Sequence, residues 1–246
     1  MKYIRTVLVW LTLSLAPAFR AEAATDRVMA PAADVSDGHF VRANALDLKQ
    51  ILPPPPAPDS LAGRADLATV LHVQDSRTAG QVAWAKFVEE DDLFKNARVL
   101  GPWFTRENLP QTAKFFGEVD DDGFVISRLA KAMYPRPRPP LTDSRVKPCV
   151  EVPASGSYPS GHSSQAWMWA DLLVQIFPEK RAELLERASA VEWARVIGGA
   201  HFPTDTEGGR RLGEAIAREI LKNPAARAEI EKCRAEAQPF LLKKAA

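Results

Sequence analysis

Ser163-Ser-Gln-Ala-Trp-Met-Trp-Ala-Asp-Leu-Leu-Val-Gln-Ile-Phe177 is apolar on nearly every side of a helical wheel. A helix of that kind has no single face to bury and must be surrounded by others. It is shorter than the ~20 apolar residues a membrane crossing needs, and it carries Asp171. The stretch therefore predicts a central core helix, with its neighbours in sequence as packing partners. Downstream, Arg181 to Ile197 shows Leu184, Leu185, Ala188, Val191 and Ala194 at three-to-four spacing, an amphipathic helix. Asp205 to Leu221 and Pro224 to Ala237 read as two more.

Upstream, a loop of prolines and turn residues runs from Pro135 to Ser160. Phe124 to Met133 reads as a helix with Val125, Leu129 and Ala132 on one face, stopped by Pro135. The run Asp120-Asp121-Asp122 predicts a turn, which leaves a separate short helix over Gln111 to Phe116. Gln81 to Asn96 reads as a helix with Val82, Trp84, Ala85 and Phe87 among its apolar positions. Asp59 or Ser60 caps another, whose apolar stripe is Leu61, Ala65, Leu67, Val70 and Leu71. Before it, the prolines of Leu52 to Pro58 hold an extended arm, read as a stiff surface segment. Strand alternation is scarce and no repeat is visible. The fold class is all-α, a single helical bundle domain over residues 51–246, preceded by an irregular segment over 24–50.

Residues 1–23 read as a signal peptide. Lys2 and Arg5 precede an apolar run from Val7 to Phe19, and Ala21-Glu22-Ala23 offers the small-x-small cleavage pattern. The expected localisation is export to the periplasm. Lys and Arg number 32 against 31 Asp and Glu, so bulk charge gives no reason to expect a nucleic acid or an anionic membrane as partner. Any anion site must be local. Export permits a disulfide between the two cysteines, Cys149 and Cys233. Two buried thiols is the equal alternative, because spacing does not report distance.

Three segments carry chemistry: Lys131-Ala-Met-Tyr-Pro-Arg-Pro-Arg138-Pro139, Gly156-Ser-Tyr-Pro-Ser160-Gly161-His162, and Arg195-Val-Ile-Gly-Gly-Ala-His201-Phe-Pro-Thr-Asp205. Each has a plain structural reading alone. Lys131 is then a basic helix end, Ser160 an N-cap, and Thr204 or Asp205 a cap with His201 in a loop. Together they fit phosphoryl transfer, which needs cations around the equatorial oxygens, an in-line nucleophile and an acid for the leaving group. Lys131, Arg138 and Arg195 supply charge. Ser160 and the Gly161 amide open a helix N-terminus toward an anion. His201, four residues before Asp205, supplies a nucleophile whose tautomer a carboxylate can hold. His162 supplies the acid. Two of the four histidines lie in these segments; His39 and His72 read as structural or exposed.

These segments resemble the PAP2 (phosphatidic acid phosphatase type 2) and vanadium haloperoxidase superfamily, whose pattern is Lys-x6-Arg-Pro, Pro-Ser-Gly-His and Ser-Arg-x5-His-x3-Asp. Within it the chain looks like the class A bacterial non-specific acid phosphatases, through Gly156 to His162 and the proline run after a signal peptide. The resemblance implies a metal-independent phosphoric monoester hydrolase, a broad-specificity acid phosphatase acting on small phosphomonoesters including nucleotides. It implies a phosphohistidine at His201, His162 as general acid, and Asp205 orienting His201. Lys131, Arg138, Ser160, Gly161 and Arg195 would bind phosphate, with no cofactor. Family members are often dimers or larger. Ala194 replaces the pattern's serine, whereas Ser163 keeps the hydroxyl of a threonine frequent there.

Four other readings compete. A membrane lipid phosphatase needs several spans, and nothing after the signal peptide supplies one. A vanadate-dependent haloperoxidase uses the same kind of site. A metal site at His162, His201 and Asp205 would sit among repelling cations. A periplasmic phosphate-ester binding protein that has lost catalysis would fit the missing serine at Ala194.

Overall fold

A computed structural model describes residues 38–245 of the chain. The signal peptide expected at 1–23, and the irregular segment as far as 37, lie outside the described residues. The described helices, in chain order, are α1 (Leu48–Ile51), α2 (Leu61–Ser76), α3 (Ala79–Phe87), α4 (Ala97–Leu100), α5 (Pro110–Met133), α6 (Pro139–Thr142), α7 (Gly161–Ile176), α8 (Arg181–Ile197), α9 (Pro203–Ile220) and α10 (Pro224–Ala245). Short 3₁₀ turns sit at Leu93–Asn96 and Pro178–Lys180. No strand occurs among the described residues, so the all-α class holds.

The helix that decides the fold is indeed central. Met168, Trp169, Leu172, Leu173 and Ile176 of α7 are buried in the main apolar core with Phe115, Phe116 and Ile126 of α5 and Leu212, Ile216 and Ile220 of α9. Ala166 and Ala170 of α7 face a second cluster built on Ala188, Val191 and Ala194 of α8. Glycines on α9 let it approach α7 closely. A Cβ at Gly213 would lie 2.2 Å from the Ser164 carbonyl oxygen, and one at Gly209 would lie 2.4 Å from that of Ser160. Both are shorter than any tolerable contact, so this approach requires glycine.

The structure corrects the expected helices in several places. The acidic run does not break α5, which continues through it for 24 residues. Its carboxylates serve packing instead. Asp122 accepts from the amides of His39, Phe40 and Val41 at 2.8–3.0 Å, and Asp120 accepts from Gln165 Nε2 and Trp169 Nε1. The buried face of this region is Ile126 and Ala130, while the expected Leu129 is 40% exposed. On α2, Ser60 is the cap, but Leu61 is exposed and Asp66 is buried. The helix expected over 81–96 ends at Phe87, and the chain then turns through Glu89 to Asp92. α10 continues eight residues past the expected Ala237, to Ala245.

The two cysteines are free, which corrects the disulfide reading. Cys149 packs with the cluster around α8, its Sγ 3.8 Å from the Ile197 carbonyl. Cys233 is buried in the main core, and that burial pushes its thiol up to about 11. The proline arm lies on the surface as expected, with Pro53, Pro54, Ala57 and Pro58 exposed, but it is anchored at its start. Leu52 is fully buried, and the Leu52 and Pro53 carbonyls accept from the hydroxyls of Tyr134 (3.1 Å) and Tyr158 (2.7 Å).

Candidate active site

The Lys131 side chain leaves the last turn of α5 and donates to the carbonyls of Gly156 (2.8 Å) and Pro159 (2.6 Å). This ties the first segment to the second. Burial, and then Arg138, push its ammonium down to about 7. After the Pro135 turn, Arg138 is buried. It donates from Nε to the Ser155 carbonyl (2.8 Å) and from Nη1 to that of Ala200 (3.0 Å). The same Nη1 lies 3.0 Å from His201 Nε2.

The second segment ends in the N-terminus of α7. Ser160 is its N-cap, fully buried, and its amide donates to the Asp205 carbonyl at 2.9 Å. Gly161 and His162 are the first helical residues, whose amides have no partner inside the helix. His162 Nε2 lies 2.8 Å from the Glu89 carbonyl oxygen. A carbonyl only accepts, so Nε2 carries the proton and Nδ1 is left for a ligand. Burial, and then Arg195, push His162 down to about 4.

The third segment turns at Gly198-Gly199, where Gly199 has φ 72°, a left-handed conformation that glycine adopts without penalty. A Cβ there would also meet Pro148 Cα at 3.2 Å. His201 follows, 1% exposed, and Asp205 is fully buried in the first turn of α9. Guanidinium only donates, so the Arg138 contact requires a lone pair on His201 Nε2 and puts the ring proton on Nδ1. Nδ1 faces Asp205 Oδ2 at 3.6 Å, just beyond hydrogen-bond length. Burial is the main force that pushes His201 down to about 3, with Arg138 and Lys131 adding to it. Burial alone would raise the Asp205 carboxyl, but His201, Arg136 and Ser157 hold it below the usual range.

Arg195 is 1% exposed, and its Nε and Nη1 have no hydrogen-bond partner. A buried guanidinium with unspent donors is costly unless an anion completes it. Arg195 and His162 line one cleft of about 700 Å³, with Lys86, Glu89 and Cys149. His162 and Gly161 also line a smaller cavity of about 200 Å³ with Phe124 and Met168. The arrangement is chemically suited to hold a tetrahedral oxyanion with an imidazole lone pair beside it. Among the described residues, no cluster of His, Cys, Asp or Glu has the make-up of a metal site, and no helix is long and apolar enough to cross a membrane. Ala194, at the pattern's serine position, is fully buried in the apolar cluster around α8.

Sequence reasoning missed the groups that hold the histidines. Asp205 also accepts from Ser157 Oγ (2.5 Å), the Phe202 amide (2.8 Å) and Arg136 Nη1 (2.6 Å). Arg136 and Ser157 lie inside the quoted segments, where a second basic residue and a second serine were available as signals. The Glu89 carbonyl and Asp66 had none, since both lie far away in sequence.

The PAP2 superfamily model matches residues 123–228, a span containing all three segments. The chain is 25% identical over 209 residues to a non-specific acid phosphatase of Providencia stuartii, covering 80% of this chain and 84% of that one. It is 29% identical over 196 residues to the non-specific acid phosphatase of Salmonella typhi, covering 75% and 78%. It is 28% identical over 211 residues to an acid phosphatase of Zymomonas mobilis, covering 76% of each. Its fold is similar to the crystal structure of a bacterial vanadium-dependent iodoperoxidase, with a TM-score of 0.56 and 18% identity over 72% of this chain and 54% of that one. By this match, residues 123–228, which carry the three segments that meet near His201, are a PAP2 superfamily region, and the chain is a distant homologue of the bacterial non-specific acid phosphatases over most of its length.

Proposed function

We propose that the protein is an exported acid phosphatase that hydrolyses small phosphomonoesters through a phosphohistidine at His201. The observation that carries this reading is the His201 ring. Its Nε2 lone pair points at Arg138, its Nδ1 faces a buried carboxylate, and it stays unprotonated down to about pH 3. Such a nucleophile keeps its lone pair in acid, where an ordinary histidine would lose it.

Lys131, Arg138, Arg195, Ser160 and the Gly161 amide hold the phosphoryl oxygens. His201 Nε2 attacks phosphorus, the P–O bond to the leaving group breaks, and the leaving oxygen takes a proton from His162 Nδ1. Water, giving a proton back to His162, then cleaves the N–P bond and releases phosphate. In the empty site His162 protonates only near pH 4. A phosphate dianion between His162 and the cations favours the imidazolium and restores the acid. Lys131 loses its charge above about pH 7, so anion binding weakens on the alkaline side.

The test is hydrolysis of p-nitrophenyl phosphate by the mature protein, lost in His201→Ala. Phosphate binding without turnover in the wild type would instead support a binding protein. Export and cleavage after Ala23 are checked by N-terminal sequencing of secreted protein; an intact Met1 in the periplasmic fraction would refute cleavage.

A further inference from the structure

Arg136 stands two residues before Arg138 in the same segment. Its donors are spent elsewhere. Nη1 donates to Thr204 Oγ1 (2.8 Å) and to Asp205 Oδ1 (2.6 Å), and Nη2 donates to Asp66 Oδ2 (2.8 Å). The guanidinium stacks 4.2 Å from the Phe202 ring centroid. Its side chain is 9% exposed, those of Asp66 and Asp205 4% and 0%. Asp66 also accepts from the Thr204 amide (3.2 Å) and the Thr204 hydroxyl, which fixes the first turn of α9 against α2.

We propose that Arg136 and Asp66 are positioning residues for the His201 nucleophile, forming a buried carboxylate–guanidinium–carboxylate chain that sets the Asp205 carboxylate. The proposal rests on the reading of His201 given above. Ser157 and the Phe202 amide both bond Oδ2, the atom that faces His201. Among the described residues, Arg136 alone bonds Oδ1. With both oxygens held, the carboxylate plane cannot rotate, and Oδ2 stays on the Nδ1 side of the ring. Asp66 has an electrostatic part as well. A guanidinium paired with Asp205 alone would largely neutralise it, leaving little attraction for the Nδ1 proton. Shared between two carboxylates, the cation leaves Asp205 with negative charge to spend on His201. The other charged or titratable groups around that carboxylate are Lys131, Arg138 and, farther off, Tyr158.

The test compares Arg136→Gln, Arg136→Lys and Asp66→Asn in the full mature chain. Steady-state kinetics on p-nitrophenyl phosphate across pH are read beside ¹⁵N spectra of the His201 ring. Arg136→Gln lowers kcat about tenfold to a hundredfold, the range typical of lost supporting groups, and leaves KM within about twofold. Its acid limb in kcat moves to higher pH, because Asp205 loses a cation that favours its ionised form. Arg136→Lys restores part of kcat. Asp66→Asn lowers kcat less and does not raise the acid limb, since the cation remains. In the spectra, Arg136→Gln loses the single Nδ1–H tautomer of the wild type.

Overturning results are a KM rise in Arg136→Gln like that of a phosphate ligand, or an unchanged kcat and pH profile. If Arg136→Gln does not fold, Arg136→Lys and Asp66→Asn decide on the same readouts. A wild type without turnover sinks the proposed reaction, and the His201 spectra still decide the positioning claim.

Discussion

Replacing Asp120 with asparagine should make the fold sensitive to acid. Asp120 is mostly buried on α5, and that burial, opposed by Gln165 and Trp169 but reinforced by Asp121 and Asp92, raises it from 3.8 to about 7. Its native value lies above its unfolded one. The native state therefore binds an extra proton between those values, and stability grows as pH falls through that window. His162 and His201 act in the opposite direction. Their native values, about 4 and about 3, lie below the unfolded 6.5. The unfolded chain then takes up protons that the native state refuses, and stability is lost as pH falls below 6.5.

One pH unit of such imbalance is worth about 1.4 kcal/mol. Going from about pH 7.5 to about pH 5, each imidazole costs about 2 kcal/mol and Asp120 returns about 3 kcal/mol. The wild type thus loses only about 1 kcal/mol from these three groups, out of the ~5–15 kcal/mol typical of a domain. Asp120→Asn keeps an amide oxygen for Gln165 and Trp169 but titrates nothing. It should be at least as stable as the wild type at about pH 7.5 and lose about 3 kcal/mol more on the way to about pH 5. Urea unfolding at several pH values, followed by tryptophan fluorescence, measures this directly. Parallel stability curves for the two proteins would refute both the raised carboxyl and the compensation argued from it.

Lys131→Ala should raise KM and lower kcat together, with a loss in kcat/KM of about tenfold to a hundredfold for a charged hydrogen-bond donor; unchanged kinetics would remove it from the site. His162→Ala should cost far more on alkyl phosphates than on p-nitrophenyl phosphate, because acid catalysis matters most for basic leaving groups, and equal losses would sink that role. Gly213→Ala forces a Cβ to within 2.2 Å of the Ser164 carbonyl and should destabilise the fold by about 1–3 kcal/mol in thermal melts. A wild-type melting temperature there would mean that α7 and α9 separate freely.

The legible parts of the sequence were those governed by local pattern. α7 and α8 could be read because their apolar residues recur at helical spacing, and Ser60 because capping is a short-range bond. The three chemical segments could be read because their cations, histidines and serine stand at distinctive intervals. The failures share one cause, which is polar side chains whose partners are remote. Asp120 and Asp122 looked like a turn because their partners, Trp169 and the amides around Phe40, lie 49 to 83 positions away. Asp66 looked like an ordinary polar helix residue because its partner is Arg136. The free cysteines belong here too, since no spacing told which side of α7 each thiol would face.

Those remote partners also explain why the matched span of 123–228 does not contain a whole site. Each histidine is held by a group N-terminal to that span. The His162 imidazole is aimed by the Glu89 carbonyl in the turn after α3. The His201–Asp205 pair is backed, through Arg136, by Asp66 on α2. The end of α5 that bears Lys131 and the loop that leads to Ser160 are pinned at Tyr134 and Tyr158 by the carbonyls of the proline arm. A buried cluster of Lys131, Arg138 and Arg195 repels itself and would spread if the backbone allowed it. What opposes that is an N-terminal brace that holds the motif residues through the carbonyls of Leu52, Pro53 and Glu89 and through the buried Asp66 carboxylate, while Glu89 and Asp91 set negative charge near Arg195. For the reaction proposed above, the brace would keep the cations converged before any anion arrives, which is the preorganisation that electrostatic catalysis requires.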